Sequence, residues 1–548
     1  MNPVSARWAA SFSSVLLTAA LATCQAPTPS PGLTFLDPMT DTSAALWDAN
    51  GAQVHQWTFA QRPGVASYLD RHGNVLRSCD TGQSGPGFGG RVQRVALDGT
   101  VLWDYVPPLP GVQHHDIHEL PNGNVLMIVT DTISRTQAIA RGMDPAIAQE
   151  LNADQLIEVR PTGPTTGEIV WRWRVLDHLI QQFDPTKPNF GVVADHPERI
   201  DINFPIAFPP PPAPTFLWMH MNAVDYNPAL DQVVVSCRHW NELWILDHST
   251  TTAEAATSSG GAHGKGGDLL YRWGNPATYG APGPQQLAGQ HDVHWIRPGR
   301  PGAGHLICFN NEKGSLLGLG AASAVTEIVT PVDTAGDYPR LPGAAFGPAA
   351  PFWEYFDPTP TAMYSPIVSS ADRLPNGNTL VCAGTQQWVF ELGLNDRIVW
   401  QVHPPLTFKA RRDERALWAS DREVATAHGD RVDFALITGT DHAFAPYVLG
   451  GSASGSFPGT QVLGVTLPLN VDAYLLTATG SALLPGSIGV LDGNGRASAA
   501  FVLPAGVGDP FAGTELHHAF LVLPGAGSPA LASNAEPLTL VRYRTATL

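Results

Sequence analysis

The sequence predicts an all-β protein, because its composition, its turns and an internal repeat all favour strands over helices. Glycine (54) and proline (49) make up nearly a fifth of the 548 residues, and both residues interrupt helices. Hydrophobic residues are 43% of the chain, which is enough to build a core and excludes wholesale disorder. Short strands joined by frequent turns are therefore expected along most of the chain.

A repeated unit predicts the architecture. One half of the unit is a polar turn leading into a strand, often with Asn-Gly, a preferred hairpin turn. The other half is a hairpin that ends in tryptophan, whose ring we expect to pack between neighbouring units. Two consecutive hairpins form a four-stranded meander, the blade of a β-propeller. We predict six blades within 33–407, at about 33–57, 65–105, 115–175, 220–275, 291–356 and 365–403.

The chain after this repeat changes character. Residues 409–415 are the densest charge cluster, so 408–431 is predicted to be a short helix or a charged linker, with the charges on a solvated face. Short, Gly-rich, strand-like segments with frequent turns then follow over 432–548 and predict a small C-terminal β-sandwich. The first propeller unit is short, so closing the ring needs help from another segment. The Pro-rich stretch 177–217 is predicted to be a loop over one face.

The pattern of the first 23 residues predicts an export signal. Arg7 precedes an apolar run at 8–22, which is too short and Ser-rich for a membrane span and fits a signal peptide over 1–23. An A-x-A cleavage site and a lipobox-like sequence ending at Cys24 both fit, so lipidation stays open. Residues 24–32 are predicted to be a Pro-rich tether. The protein is expected in the periplasm or at the cell surface, with or without a lipid anchor.

Charge and cysteine content narrow the function. A net charge of −17 disfavours nucleic-acid binding, because no basic surplus displaces counterions. Besides Cys24, four cysteines each follow a short apolar run and occupy equivalent positions of successive units. Such positions are expected to be too far apart for a disulfide to form readily. They are predicted to be buried free thiols, with disulfides as the open alternative. A zinc site is disfavoured because the sequence has no CxxC pair. The four cysteines are Cys79, Cys237, Cys308 and Cys382.

Three histidines occupy one position of the repeat. His115, His220 and His291 would each begin the innermost strand of a blade, at the mouth of the central channel. Arg238 ends the second strand of the fourth unit near the same mouth. A metal site is one interpretation, since histidine is a common ligand. The positive charge of Arg238 would repel a metal ion bound at this mouth. An anionic substrate is therefore favoured, and no metal or cofactor is predicted.

Strand alternation places the neighbours of these histidines. Asn222 lies two residues after His220 and is predicted to point the same way. His118 and His294 lie three residues after the first and third histidines, so they are predicted to face the opposite side.

At these residues the sequence resembles the bacterial PAPS-independent arylsulfate sulfotransferases. The resemblance covers about 33–403 and depends on motifs that are weak singly and more specific together. The motifs are His115-Asp116 before Leu120-Pro121-Asn122-Gly123-Asn124, then His220-Met221-Asn222, Ser236-Cys237-Arg238-His239 and Gly289-Gln290-His291-Asp292.

The resemblance implies an exported six-bladed propeller that transfers sulfuryl groups from aryl sulfates to phenols by a ping-pong mechanism without a nucleotide. It implies that His291 is transiently sulfated and that Arg238, His220 and Asn222 hold the sulfuryl oxygens. His115 matches a further catalytic histidine, while the adjacent His114 leaves that register open by one residue and is kept as a substrate-binding candidate.

The chain departs from the family pattern in two places. Residues 309–314 stand where the family has an Asp-Asn-Gly segment. The additional β-domain follows the propeller here, whereas the family members used for comparison carry it at the N-terminus. The donor, acceptor and oligomeric state are not specified by the sequence.

Two other functions remain open at this stage. The Gly-x-x-x-Trp tails, such as 99–103 and 167–171, are similar to quinone-binding repeats, so a quinoprotein-like oxidoreductase is one alternative. A binding propeller without catalysis is the other, because a fold does not fix a function.

Overall fold

The computed structural model describes residues 28–82, 89–108, 110–206, 218–507, 509–525 and 530–544. It is all-β, with 42% strand and 9% helix, as the composition predicts. No helix among these residues combines the length and apolarity that crossing a membrane requires. The predicted signal peptide and Cys24 lie outside the described residues.

The strands up to residue 413 are β1 (Leu33–Pro38), β2 (Ser43–Trp47), β3 (Gln53–Thr58), β4 (Pro63–Leu69), β5 (Val75–Asp80), β6 (Gly90–Val95), β7 (Val101–Tyr105), β8 (Gln113–Glu119), β9 (Val125–Ile133), β10 (Leu151–Gly163), β11 (Thr166–Arg174), β12 (Leu179–Ile180), β13 (Ile200–Asp201), β14 (Met221–Asn227), β15 (Gln232–Cys237), β16 (Glu242–Asp247), β17 (Tyr271–Trp273), β18 (His291–Trp295), β19 (Leu306–Asn310), β20 (Ala324–Ile328), β21 (Trp353–Tyr355), β22 (Ser370–Arg373), β23 (Thr379–Ala383), β24 (Trp388–Leu392), β25 (Ile398–Val402) and β26 (Thr407–Asp413).

The later strands are β27 (Leu417–Ala419), β28 (Glu423–Ala425), β29 (Asp430–Ile437), β30 (Pro446–Ser452), β31 (Thr460–Val462), β32 (Val465–Leu467), β33 (Ile488–Val490), β34 (Arg496–Leu503), β35 (Glu515–Val522), β36 (Leu531–Ala532) and β37 (Glu536–Val541). Short α-helices are α1 (Arg135–Ala140), α2 (Thr252–Ala255), α3 (Lys313–Leu317) and α4 (Ala473–Ala478). Single turns of 3₁₀-helix are Val175–Asp177, Val193–Asp195, Arg238–Trp240, Pro276–Tyr279, Gly384–Gln386, Thr440–His442 and Asp509–Phe511.

Six four-stranded antiparallel sheets make up the first part of the protein. Five contain four strands that follow one another along the chain, in the orders β4–β7, β8–β11, β14–β17, β18–β21 and β22–β25. The sixth combines β26 with β1, β2 and β3. One edge strand of each sheet contacts its counterpart in the next, in the circuit β26, β4, β8, β14, β18, β22 and back to β26. These contacts form a closed circuit, and we call the six strands that make it the inner strands.

The inner strand β26 corrects the predicted linker over 408–431. It pairs antiparallel with β1, from Leu33 opposite Asp413 to Pro38 opposite Thr407. The remainder of the predicted linker contains β27 and β28, which pair with β29 and β37. Charged residues suggested solvation, but Lys409 and Arg412 are buried because carboxylates on other strands neutralise them.

Tryptophans join neighbouring sheets, as the repeat predicts. Trp57, Trp103, Trp173 and Trp273 lie on the outer strand of four successive sheets and are nearly fully buried. Each indole N–H donates to a backbone carbonyl of the following sheet or its connecting loop, over 2.7–3.0 Å. The tail 99–103 is thus explained by packing and by a satisfied buried donor. In the tail 167–171, the indole N–H of the buried Trp171 donates to Thr250 Oγ1 at 3.1 Å, which gives the same explanation.

The four described cysteines are free and buried, which confirms the prediction of buried thiols. Each lies on the second strand of its sheet, β5, β15, β19 or β23.

The segments outside the six sheets are also ordered. Within the predicted loop, 177–206 includes the parallel pair β12 and β13, while 207–217 lie outside the described residues. Of the predicted tether, Ser30 is buried and its N–H donates to Glu391 at 2.6 Å. In the C-terminal part, a three-stranded sheet (β27, β29, β34) and a larger sheet around β30, β35 and β37 share one hydrophobic cluster.

Candidate active site

A bulge lies at the start of several inner strands. The pairing register shifts between Gln113 and Ile117, between Met221 and Ala223, and between His291 and His294. His115 (φ 52°) and Asp292 (φ 62°) within these bulges, and His220 (φ 54°) just before one, have left-handed backbones, which cost about 1–2 kcal/mol each for residues with a Cβ. Bulges redirect side chains beside functional sites.

The bulges bring two predicted histidines into direct contact. His115 Nε2 lies 3.0 Å from His220 Nε2, and their ring centroids are 4.6 Å apart. The His239 ring also contacts His220, with centroids 4.6 Å apart. His239 ends the motif 236–239, but the sequence assigned it no role.

The third predicted histidine, His291, is held by Asn311. The Asn311 amide nitrogen donates to the carbonyls of Ser365 and Val368 at 2.7 and 2.9 Å, which fixes the amide orientation. Its oxygen therefore accepts from His291 Nδ1 at 2.8 Å. His291 thus carries its proton on Nδ1 and a lone pair on Nε2, and only such a nitrogen can act as a nucleophile.

Arg238 lies beside this histidine. Its guanidinium lies close to Gly289, two residues before His291. A Cβ placed on Gly289 would be only 3.7 Å from Arg238 Nη2. Nη2 also donates to the Pro366 carbonyl at 3.2 Å, while the buried Nε has no partner among the described atoms. Burial lowers the pKa of Arg238, and the nearby Glu312 carboxylate opposes that shift. Donor capacity therefore remains for an anion.

Asn222 lies at the same junction, where its Nδ2 makes one contact and its buried Oδ1 has no hydrogen-bond partner among the described atoms. Its Nδ2 donates to the Gln290 carbonyl at 2.7 Å, immediately before His291. Gln290 is anchored in turn, because its own amide donates to Ser236 Oγ and to the carbonyl of Glu242. Asn222 therefore ties the strand of His220 to the strand of His291.

His114 lies behind His115. Its Nδ1 is 2.9 Å from His115 Nδ1, and its Nε2 is 3.2 Å from Asp154 Oδ1. Of the two adjacent histidines, His115 meets His220. His114 instead contacts His115 and lies near Asp154, so the substrate-binding role of His114 stays a prediction.

Burial keeps the clustered imidazoles neutral. Desolvation, followed by repulsion from neighbouring cationic groups, holds the pKa of His115 and of His220 well below the ordinary value. Desolvation and the Arg238 charge lower the pKa of His291 to about 3. All three rings therefore have lone pairs at neutral pH, while Arg238 supplies the positive charge.

Strand β26 adds residues that the sequence did not assign to the site. The Phe408 ring contacts His291 edge-on, with centroids 5.9 Å apart. Lys409 Nζ lies 2.6 Å from Asp116 Oδ2, 2.9 Å from Asp292 Oδ1 and 2.6 Å from the Tyr68 hydroxyl. This ion cluster joins the residues that directly follow His115 and His291.

His118 and His294 lie away from the cluster. His118 Nδ1 is 3.1 Å from Asp225, and His294 Nε2 is 3.6 Å from Asp372. Both line a separate cavity of about 580 Å³, whose lining includes none of the predicted catalytic residues.

Within the described ranges, no group of three or more His, Cys, Asp or Glu side chains is arranged to hold a metal ion. The cluster instead combines neutral imidazoles with a guanidinium, a donor set suited to an anion.

The comparison with protein families decides the relationship. The model of the arylsulfotransferase (ASST) family matches residues 99–326. This region is arylsulfotransferase-like. The match confirms the predicted resemblance, and His115, His220, Asn222, Arg238 and His291 all lie inside it.

Several solved structures are similar to the chain at low sequence identity. Virginiamycin B lyase from Staphylococcus aureus is 10% identical, with 75% of this chain and 92% of that chain covered and a TM-score of 0.32. A periplasmic gluconolactonase from Pseudomonas aeruginosa is 13% identical, with 67% and 79% covered and a TM-score of 0.33. The Dos1 propeller is 8% identical, with 76% and 81% covered and a TM-score of 0.26. Nothing about activity follows from them, and no curated protein matches.

Proposed function

We propose that this arylsulfotransferase-like protein transfers a sulfuryl group from an aryl sulfate ester to a phenol through a sulfated His291, without a nucleotide. One observation carries the proposal. The neutral imidazoles of His115 and His220 are in contact, and the charges of His291 and Arg238 lie near enough to lower the pKa of both. Asn311 leaves Nε2 of His291 with its lone pair. The family match supports sulfotransfer in general.

In the first step, His291 Nε2 forms a bond to the ester sulfur, and the bond from sulfur to the aryl oxygen breaks. The electron pair leaves with the aryl oxide, and the sulfuryl group remains on the imidazole. The transition state of such a transfer is loose, so positioning and positive charge supply most of the catalysis. Arg238 supplies that charge with a planar set of donors, and Asn311 accepts from Nδ1–H as the ring becomes cationic.

In the second step, a phenol oxygen bonds to sulfur, and the bond from sulfur to His291 Nε2 breaks. The electron pair returns to Nε2, and the phenol proton passes to a neighbouring neutral imidazole. A phenol with an ordinary pKa of about 10 gains from such a base. The two steps make a ping-pong cycle in which the donor product leaves before the acceptor binds.

The architecture and location are part of the proposal. The six sheets are interpreted as six blades of a propeller closed by β26, with 417–541 as a β-sandwich; the circuit of inner-strand contacts and the shared C-terminal cluster support this. Export by the 1–23 signal, to the periplasm or cell surface, is proposed from the sequence, with lipidation at Cys24 as a variant.

The test uses p-nitrophenyl sulfate as donor and phenol as acceptor. Wild-type protein is expected to release nitrophenolate continuously only when phenol is present, and His291→Ala is expected to release none. His305→Ala, which removes a histidine of the same sheet that pairs with Glu327 over 2.7 Å, is the matched control and is expected to stay active. A fully active His291→Ala protein, with radioactive sulfate never attached to the wild type, would contradict the proposal.

A further inference from the structure

Three buried groups form a row that ends in the cluster. Asp154 Oδ1 faces His114 Nε2 at 3.2 Å, and His114 Nδ1 faces His115 Nδ1 at 2.9 Å. His115 Nε2 then meets His220 at 3.0 Å. Asp154 and His114 are fully buried, and His115 is 5% exposed. The family motifs in the sequence include neither Asp154 nor any carboxylate in this row.

The row fixes where the protons lie. A carboxylate only accepts, and Asp154 Oδ2 already accepts from the Met221 backbone N–H at 2.8 Å. His114 Nε2 and Asp154 Oδ1 are 3.2 Å apart but are not aligned as a hydrogen bond. The negative charge of the carboxylate at that distance favours the proton on His114 Nε2, which leaves the lone pair on His114 Nδ1. His115 therefore carries its proton on Nδ1 and its lone pair on Nε2, the nitrogen that points at His220.

His220 has no comparable support. Its Nε2 faces His115, and its buried Nδ1 has no hydrogen-bond partner among the described atoms. His291 is already engaged through Nδ1 by the Asn311 amide, which carries no charge. Of the three clustered imidazoles, His115 is the one connected to a carboxylate. Its titratable and charged neighbours include His114, His220, His239, His291 and Arg238.

We propose that His115 is the general base for the acceptor phenol, and that Asp154 and His114 are positioning residues that keep His115 Nε2 unprotonated until the phenol arrives. The inference rests on the proposed function. The phenol O–H proton moves to His115 Nε2 as the oxygen bonds to sulfur, and the electron pair of the breaking S–N bond returns to His291. Asp154 stabilises the imidazolium through His114, as a buried aspartate does in hydrolytic triads.

Asp154→Asn tests the proton arrangement. The Asn oxygen still accepts from Met221 N–H, so its NH₂ group faces His114 Nε2 and forces the opposite tautomers. His115 Nε2 then carries a proton and cannot accept another. Nitrophenolate is a good leaving group that needs no acid. Its single-turnover release without acceptor is therefore expected to stay within about 3-fold of wild type, while transfer to phenol falls about 10²–10⁴-fold.

Two further comparisons separate positioning from folding. A glutamine at 114 can donate to Asp154 and accept from His115, so His114→Gln is expected to retain transfer to phenol, whereas His114→Phe is expected to lose it. Asp231→Asn is the matched control, because Asp231 forms a similar pair with His248 (2.8 Å) away from the cluster. It is expected to behave as wild type.

The acceptor series gives the decisive readout. The loss in Asp154→Asn is expected to grow as the acceptor phenol becomes less acidic, because weak acids need the base most. If Asp154→Asn loses single-turnover nitrophenolate release (the burst) and transfer to phenol equally, or loses neither, the inference is overturned while sulfotransfer stays intact. If Asp154→Asn does not fold, the two His114 variants decide, and equal activity of both overturns it. A wild-type protein without burst or transfer would instead overturn the proposed function.

Discussion

At the scale of single residues, the amide of Asn311 determines which nitrogen of His291 is available. Its two donor contacts to Ser365 and Val368 leave only the oxygen for the imidazole. The backbone of a neighbouring loop thereby selects the tautomer of the candidate nucleophile. Chemistry at His291 depends on residues more than 50 positions further along the chain.

Arg238→Lys tests the planar donor at the site. Lysine keeps the charge but loses the rigid fork that reaches two sulfuryl oxygens, so transfer is expected to fall about 10²-fold, as when one preorganised donor is removed. Steady-state kinetics with p-nitrophenyl sulfate measure the change. Arg174→Lys, at an arginine paired with Asp131 over 2.8 Å, is the control. Equal kinetics for both variants would contradict a role for the fork.

The sequence predicted the histidines and the arginine because each begins or ends a strand at the same position of the repeat. It assigned His114 to substrate binding, which stays a prediction, and the structure adds contacts of His114 with His115 and Asp154. Asn311 lies in the 309–314 segment that stands at the family's Asp-Asn-Gly position, but no role was predicted for it from the sequence. Asp154 was not found, because its contacts join segments that are distant in sequence and no local pattern marks it.

At the scale of elements, the bulges decide the geometry of the site. Strand alternation predicted that His118 and His294 lie apart from the candidate catalytic histidines, and both line another cavity. Alternation did not predict the left-handed backbones of His115 and His220. A bulge adds one residue to a strand without a strong sequence signal, so the backbone and the side-chain directions within it were not predictable.

Lys409→Met tests the ion cluster on β26. The substitution leaves Asp116 and Asp292 buried with less compensation, and breaking a buried ion pair costs about 3–5 kcal/mol. The free energy of unfolding is expected to fall by that amount in urea titrations. Arg160→Met removes an exposed pair with Glu168, whose side chains are both 56% exposed, and should change stability by less than about 1 kcal/mol. Equal effects would contradict the cluster's contribution.

At the scale of the whole molecule, the repeat predicted five of the sheets with all their strands. The sixth sheet was predicted only as a short unit that needs help, and its fourth strand is β26. That strand lacks the turn and tryptophan signals of the repeat, and its charges suggested solvent exposure. The partners that neutralise these charges lie on other sheets, so their burial follows only from the closed circuit.

Buried neutral histidines make the folded protein less stable in acid, and His518 is a clear case. Burial lowers its pKa from 6.5 to about 3, so its contribution to stability is complete above pH 6.5 and is lost as the pH falls toward 3, because only the unfolded chain takes up the proton. The free energy of unfolding is expected to fall over pH 6.5–4. His518→Gln, which keeps a partner for Tyr474, should reduce that slope by up to about 1.4 kcal/mol per pH unit.

The control for this prediction is the exposed His196, whose side chain is 47% exposed. His196→Gln is expected to leave the slope unchanged. Identical slopes for wild type and His518→Gln would show that His518 accepts a proton in the folded state.

The position of β26 in the chain affects biosynthesis. About 370 residues separate β1 from the strand that completes its sheet. At usual translation speeds, a ribosome needs roughly 20–70 s to make them. During that interval the edge of β1 presents unpaired backbone groups, which other nascent chains can join. A chaperone that protects this protein must therefore shield that edge until residue 413 has emerged.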